Sequence, residues 1–226
     1  MEFRFTCTVR NANRLLFGLI FFEVFLVLVF LADSLLGSPI WIVHSLFDLD
    51  QELSIPTWFS SIQLFLIGII FFLIARQTDS SHHPSALFLL VVGVVFVFLS
   101  ADEVSSIHEK LTLVVANREW WPKFKGGHGA WIALYLGLCL IFFFTTYREL
   151  KAMWTYFQPE TLIIATGIAV FLFGAVVLEI ISYQFLRDGA TPLLYLAEVA
   201  FEEFLEMSGG SLILYGTILF AMRFGR

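Results

Sequence analysis

The sequence predicts an all-α, polytopic transmembrane helical bundle of about six spans. Three observations predict it. Of 226 residues, 59% are hydrophobic and only 14% are charged, where water-soluble domains carry about 45–50% apolar and ~25% charged residues. Mean hydropathy is +0.86, so the apolar excess has to face lipid. The apolar residues also fall in continuous runs of about 20, the length that crosses the hydrocarbon core as a helix. They lack the alternation of a barrel strand.

The spans are expected at about 15–36, 57–75, 85–104, 129–148, 161–183 and 193–222. The first follows Arg4, Arg10 and Arg14. It exceeds the ~7–15 apolar residues of a signal peptide, which predicts a retained anchor. Gly37-Ser38-Pro39 ends it, and the stretch from Trp41 predicts a short interfacial helix with Trp41 as an aromatic anchor. Asp79-Ser80 through Pro84 separates the second and third spans. The third runs on into Ser100–Glu109 with no Pro or Gly until after Trp121, so its helix is expected to continue. Gly126-Gly127-His128-Gly129 opens the fourth and Pro159 precedes the fifth. Asp188-Gly189 leads to Pro192, a good first-turn residue for the sixth. With no internal repeat and no linker, residues 1–226 are expected to form one transmembrane domain.

Orientation follows from Lys and Arg. One side holds Arg4, Arg10, Arg14, Arg76, Arg148, Lys151, Arg223 and Arg226; the other holds Lys110, Arg118, Lys123, Lys125 and Arg187. The richer side predicts cytoplasmic termini, and an even number of spans agrees. Acidic residues gather at the opposite, outer face.

Two helical stripes stand out there. Asp102, Ser105, Ser106 and Glu109 lie three and four residues apart, with His108 at the edge and Glu103 about 100° round from Asp102. Glu198, Glu202 and Glu206 form the second stripe, beside Glu203. Like charges at that spacing repel, so protons, a cation or a basic partner is expected to compensate. Counting ~20 residues from the inner ends of both spans puts the stripes at one depth, and Glu179 falls near it. Asp102, His108, Glu109, Glu179, Glu198, Glu202 and Glu206 are therefore the candidate ligands of a divalent metal ion. Carboxylate with imidazole suits Zn, Fe or Mn, and carboxylates alone suit Ca or Mg. The alternative is a solvated acidic rim. Glu23, inside the first span, is a candidate proton or cation relay. A protonated Glu bonded to a neighbouring helix is the plainer alternative.

Asp48, Asp50 and Glu52 alternate as in a calcium loop, but Leu53 stands where the turn glycine belongs and Phe59 where the bidentate Glu belongs. His44 lies beside them. His82 and His83 are expected to be solvated turn residues, and His128 is a second, weaker ligand candidate. No Glu stands three residues before a His, as di-iron bundles require. His-Glu-x-x-His, Gly-x-Ser-x-Gly and phosphate loops are absent. Net charge is −6 with no basic stripe, which argues against nucleic acid as a partner. Cys7 and Cys139 are far apart, and no disulfide is expected between them.

At Phe47-Asp48-Leu49-Asp50, at Ser54 to Ser61, and at Ser100-Ala101-Asp102-Glu103 to His108-Glu109, the chain resembles hypothetical multi-pass membrane proteins of bacteria. The resemblance covers most of the chain and implies a six-span protein of the bacterial inner membrane, with no activity attached. Ser105, Asp102 and His108 offer fragments of the zinc site of ceramidase-like membrane hydrolases, whose paired late histidines are missing. Three functions are thus expected to compete: cation binding with ion transport, a metal-dependent enzyme acting on a lipid-like substrate, and an accessory subunit docked to a partner. Membrane lipid is the expected surrounding, and a homo-oligomer or partner membrane subunit is a further expectation.

Overall fold

The computed structural model describes residues 7–78, 83–115, 118–124, 128–186 and 191–224. Arg4, Asp79, Ser80, His82, Lys125, Gly126, Gly127, Arg187, Asp188, Gly189 and Arg226, which the sequence singled out, lie outside them. Among the described residues there is no β-strand, and six helical segments are long and apolar enough to cross a membrane.

The first span is α1 (Val9–Leu35). Thr8 caps it, its hydroxyl accepting from the Asn11 N–H at 3.2 Å, and Gly37 follows its end with φ +77°. Trp41–Phe47 forms the short helix α2, as expected from the amphipathic loop. The second span is α3 (Ile55–Ala75), where the Ser54 hydroxyl accepts from Thr57 N–H and a proline sits in the first turn. α4 (Ala86–Ser105) is the third and α5 (Ile107–Val115) a short helix that follows it.

α6 (Ala130–Tyr156) is the fourth span. It runs on past the expected end because Arg148 to Met153 are mostly good helix formers, and the break comes only at Phe157. The fifth span covers Gln158–Leu186. It starts as α7 (Gln158–Leu172), passes through π-helix at Phe173–Leu178, makes one α turn, α8 (Glu179–Ile181), and ends in π-helix at Ser182–Leu186. α9 (Pro192–Phe224) is the sixth and begins on the expected proline.

α9 is the central helix. It packs against α1, α3 and α7, while α3 pairs with α4. The closest approach uses glycine: a Cβ on Gly209 would stand 2.5 Å from the Phe171 backbone nitrogen, so only a bare backbone fits there. α6 is the least buried span, and most of its Leu and Phe side chains stay exposed, as lipid-facing residues should. Ala12, Phe220 and Ala221 share one buried cluster, and Tyr215 donates to Asn13 at 2.7 Å. The first and last helices therefore meet at one end of the bundle, as an even number of spans requires. Arg223 pairs with Glu160 there at 2.9 Å. Most of the acidic residues, Glu202, Glu203 and Glu206 of α9 among them, lie at the other end.

Candidate functional site

At the acidic end the helices enclose a cavity of about 130 Å³. Its walls come from the loop after α2, from α3, α4, α5 and α8, from the π-helical turn after α8, and from α9. The loop after α2 supplies Asp50 and Glu52, α4 supplies Glu103, α5 supplies His108 and Glu109, α8 supplies Glu179, and α9 supplies Glu202, Glu203 and Glu206.

Local chemistry explains each placement. α4 does not run through to Trp121. Ser106 adopts the left-handed region with φ +47° and breaks the helix. The Asp102 side chain then caps the next one, its Oδ1 accepting from the His108 backbone N–H at 2.8 Å. His108 Nδ1 stands 3.3 Å from the same oxygen, and Tyr135 of α6 donates to Oδ2 at 2.9 Å. The supposed stripe of Asp102, Ser105, Ser106 and Glu109 is thus not one helix face. Asp102 is buried under the turn, and Glu103 faces the cavity instead.

On α9 the cavity face is Val199, Glu202, Glu203 and Glu206, spaced i, i+3, i+4 and i+7. Steps of four residues drift about 40° round a helix, so Glu198 leaves that face. It is buried and accepts from Ser182 Oγ at 3.2 Å. The two π-helical stretches flank Glu179, and Ser182 and Tyr183 also reach the cavity. Wider π turns re-aim side chains and recur at functional sites. Gly174 lets this segment close on α9: a Cβ there would stand 2.9 Å from both Glu202 O and Glu206 Cγ. Trp131 donates its indole N–H to Glu179 at 3.3 Å.

The loop after α2 is held against the cavity by its own bonds and by α9. Asp50 N–H bonds Asp48 Oδ1 at 3.1 Å, Thr57 holds Gln51 O at 3.2 Å, and Tyr195 of α9 donates to both Asp50 oxygens at 3.1 and 3.2 Å. Glu52 Oε1 comes within 3.9 Å of His108 Nε2. Burial pushes Glu52 up to about 7; His108 draws it down, and Glu109, Asp102 and Glu179 add to the rise. Burial alone would lower His108. The Asp102 hydrogen bond and the charges of Asp102, Glu52 and Glu179 outweigh it and carry His108 up to about 9.

Of the seven candidate ligands, His108, Glu109, Glu179, Glu202 and Glu206 line the cavity, while Asp102 and Glu198 support it from behind. Asp50, Glu52, Glu103 and Glu203 are wall residues that were not among the candidates. The alternating acids after Phe47 were a signal for the first two. For Glu103 and Glu203 the signal was only adjacency to a striped residue. Among the described residues, no group of three or more His, Cys, Asp or Glu is drawn together as a metal site; the carboxylates line walls and do not converge on one point. His128 stacks on Tyr183 at 4.7 Å between ring centroids. Cys7 and Cys139 are both free thiols.

Two other polar groups lie outside the cavity. Ser38 Oγ and Asp33 Oδ2 meet the same His44 nitrogen, Nδ1, at 3.2 and 3.0 Å. A nucleophile relay needs the two partners on opposite ring nitrogens, so this group braces the loop. Deeper, Glu23 of α1 is fully buried. Its Oε1 accepts from Gln63 Nε2 of α3 at 3.1 Å and from Ser211 Oγ of α9 at 2.6 Å.

Residues 19–222 match a family described as a domain of unknown function (DUF8692). No curated protein and no solved structure matches the chain.

Proposed function

We infer that this chain, which belongs to the DUF8692 family, is a membrane protein that binds a divalent cation in the acidic cavity at its outer face. One observation carries this reading. Eight carboxylates (Asp50, Glu52, Glu103, Glu109, Glu179, Glu202, Glu203 and Glu206) surround about 130 Å³, and His108 is the one basic side chain among the described lining residues. Packing so many carboxylates is unfavourable unless positive charge joins them.

The donor set selects the ion. Its ligands are hard oxygens, and no cysteine lines the cavity, which favours Ca, Mg or Mn over softer metals. His108, raised to about 9 and with Nδ1 engaged by Asp102, is protonated at neutral pH and offers the ion no free nitrogen. Carboxylates spread over the walls suit an ion that keeps part of its water shell, as Mg does. Entry of such an ion from the outer side is the first step of transport, and we extend the proposal that far.

Titration of purified protein with Ca²⁺, Mg²⁺ and Mn²⁺ by calorimetry tests it. Saturable binding to at least one of them is expected, and the double variant Glu203→Gln/Glu206→Gln should abolish it. Absence of saturable heat with all three ions in the wild type overturns the reading.

A further inference from the structure

We propose that Glu23, Gln63 and Ser211 form a reversible proton-binding site in the middle of the membrane. Glu23 lies about 21 Å of helix rise from the start of α1 and about 18 Å from its end. Ser211 is about 19 Å from the inner end of α9 by the same measure. Three helices thus deliver polar side chains to one central depth.

The hydrogen bonding is complete on one side and open on the other. Gln63 Nε2 donates to Glu23 Oε1 at 3.1 Å and to Ser211 Oγ at 2.8 Å, and Ser211 Oγ donates to Glu23 Oε1 at 2.6 Å. Glu23 Oε2 and Gln63 Oε1 have no hydrogen-bond partner among the described residues, though both side chains are at least 98% buried (Glu23 0% and Gln63 2% exposed). Buried polar atoms are almost always paired, so two orphans in one cluster mark a place for something further.

A proton fits it. Addition of one proton to Oε2 turns the carboxylate into a neutral acid, and no other bond changes. The new O–H is a donor, and the cluster also holds an orphaned acceptor, Gln63 Oε1. A metal ion fits less well, because Gln63 turns its NH2, not its carbonyl, toward Glu23 and Ser211. Gly210 leaves room for the amide: a Cβ there would stand 2.9 Å from Gln63 Oε1.

No other charge crowds the site. α3 carries no Asp, Glu, Lys, Arg or His between Ile55 and Ala75. On α1 the nearest charged residues are Arg14 and Asp33, and on α9 the nearest titratable ones are Glu206 and Tyr215. Glu206 is five residues from Ser211, about 7.5 Å of helix rise, which makes the acidic cavity the nearest source of protons along α9. The inference stands whichever cation the cavity holds.

Infrared difference spectroscopy of the full chain, wild type minus Glu23→Gln, tests it. A protonated-acid carbonyl band is expected that shifts in D2O, fades as the pH is raised and returns when it is lowered. Carbodiimide labelling of the wild type, read by peptide mass, gives the same titration without a variant. Gly210→Ala, which displaces the Gln63 amide, should shift the pH of half-labelling. A Glu23 that shows neither band nor adduct at any pH, or both unchanged from acid to alkali, overturns the proposal. So does sodium that suppresses labelling at constant pH, since it would make a metal ion the occupant.

Discussion

The Asp102 carboxylate reaches over the left-handed Ser106 turn and binds His108 twice, by its backbone N–H at 2.8 Å and beside its Nδ1 at 3.3 Å. This one contact ends α4, starts α5 and aims the imidazole at Glu52.

It also makes stability depend on pH. His108 is raised from 6.5 to about 9, so the folded state holds its proton more tightly than the unfolded chain. The resulting stabilisation is full below pH 6.5 and is lost as pH rises through about 9. The melting temperature of the wild type should exceed that of His108→Gln at neutral pH, and the gap should close above about pH 9. Thermal unfolding in detergent at a series of pH values measures it.

Ser106 tests the turn itself. A φ of +47° suits glycine and penalises β-branched residues. Ser106→Val should destabilise by about 1–2 kcal/mol, while Ser106→Gly should be neutral or better. Equal melting temperatures for the two variants would contradict the turn geometry.

Cation binding should weaken in acid. Glu52 is raised to about 7, so below that pH it holds a proton that a cation must displace. Affinity for the bound divalent ion should fall as pH drops through about 7. In Glu52→Gln the affinity should be lower throughout, with a flatter pH profile. Calorimetric titration at several pH values is the check.

Opposite signs are expected for Glu206→Gln with and without the ion. Removal of one like charge from the Glu202–Glu203–Glu206 face should stabilise the apo protein by ~0.2–0.5 kcal/mol. A loss of affinity of about tenfold should remove ~1.4 kcal/mol of the stabilisation that excess cation confers. Melting curves with and without the ion separate the two effects.

The α7–α9 contact can be probed at glycine. Gly209→Ala puts a Cβ about as close as 2.5 Å to Phe171 N and should destabilise by about 1–3 kcal/mol. Gly18→Ala, whose Cβ meets nothing within 4 Å, should be harmless and serves as the reference in the same unfolding assay.

Six spans and the gathering of acids at one end were determined by the sequence itself. Run length against bilayer thickness and the positions of Asp and Glu are local properties, and no tertiary contact is needed to read them. Pro192 at the start of α9 and the short helix at Trp41 were legible for the same reason. Which acids share a cavity was decided only by tertiary structure. A serine that takes a left-handed φ leaves no mark in the sequence, yet Ser106 buries Asp102 and turns Glu103 and His108 inward. Drift along α9 substitutes Glu203 for Glu198. The Asp50–Glu52 loop joins because Tyr195, far along the chain, bonds it, and the bonding of Glu23 by Gln63 and Ser211 depends on three helices meeting at one depth.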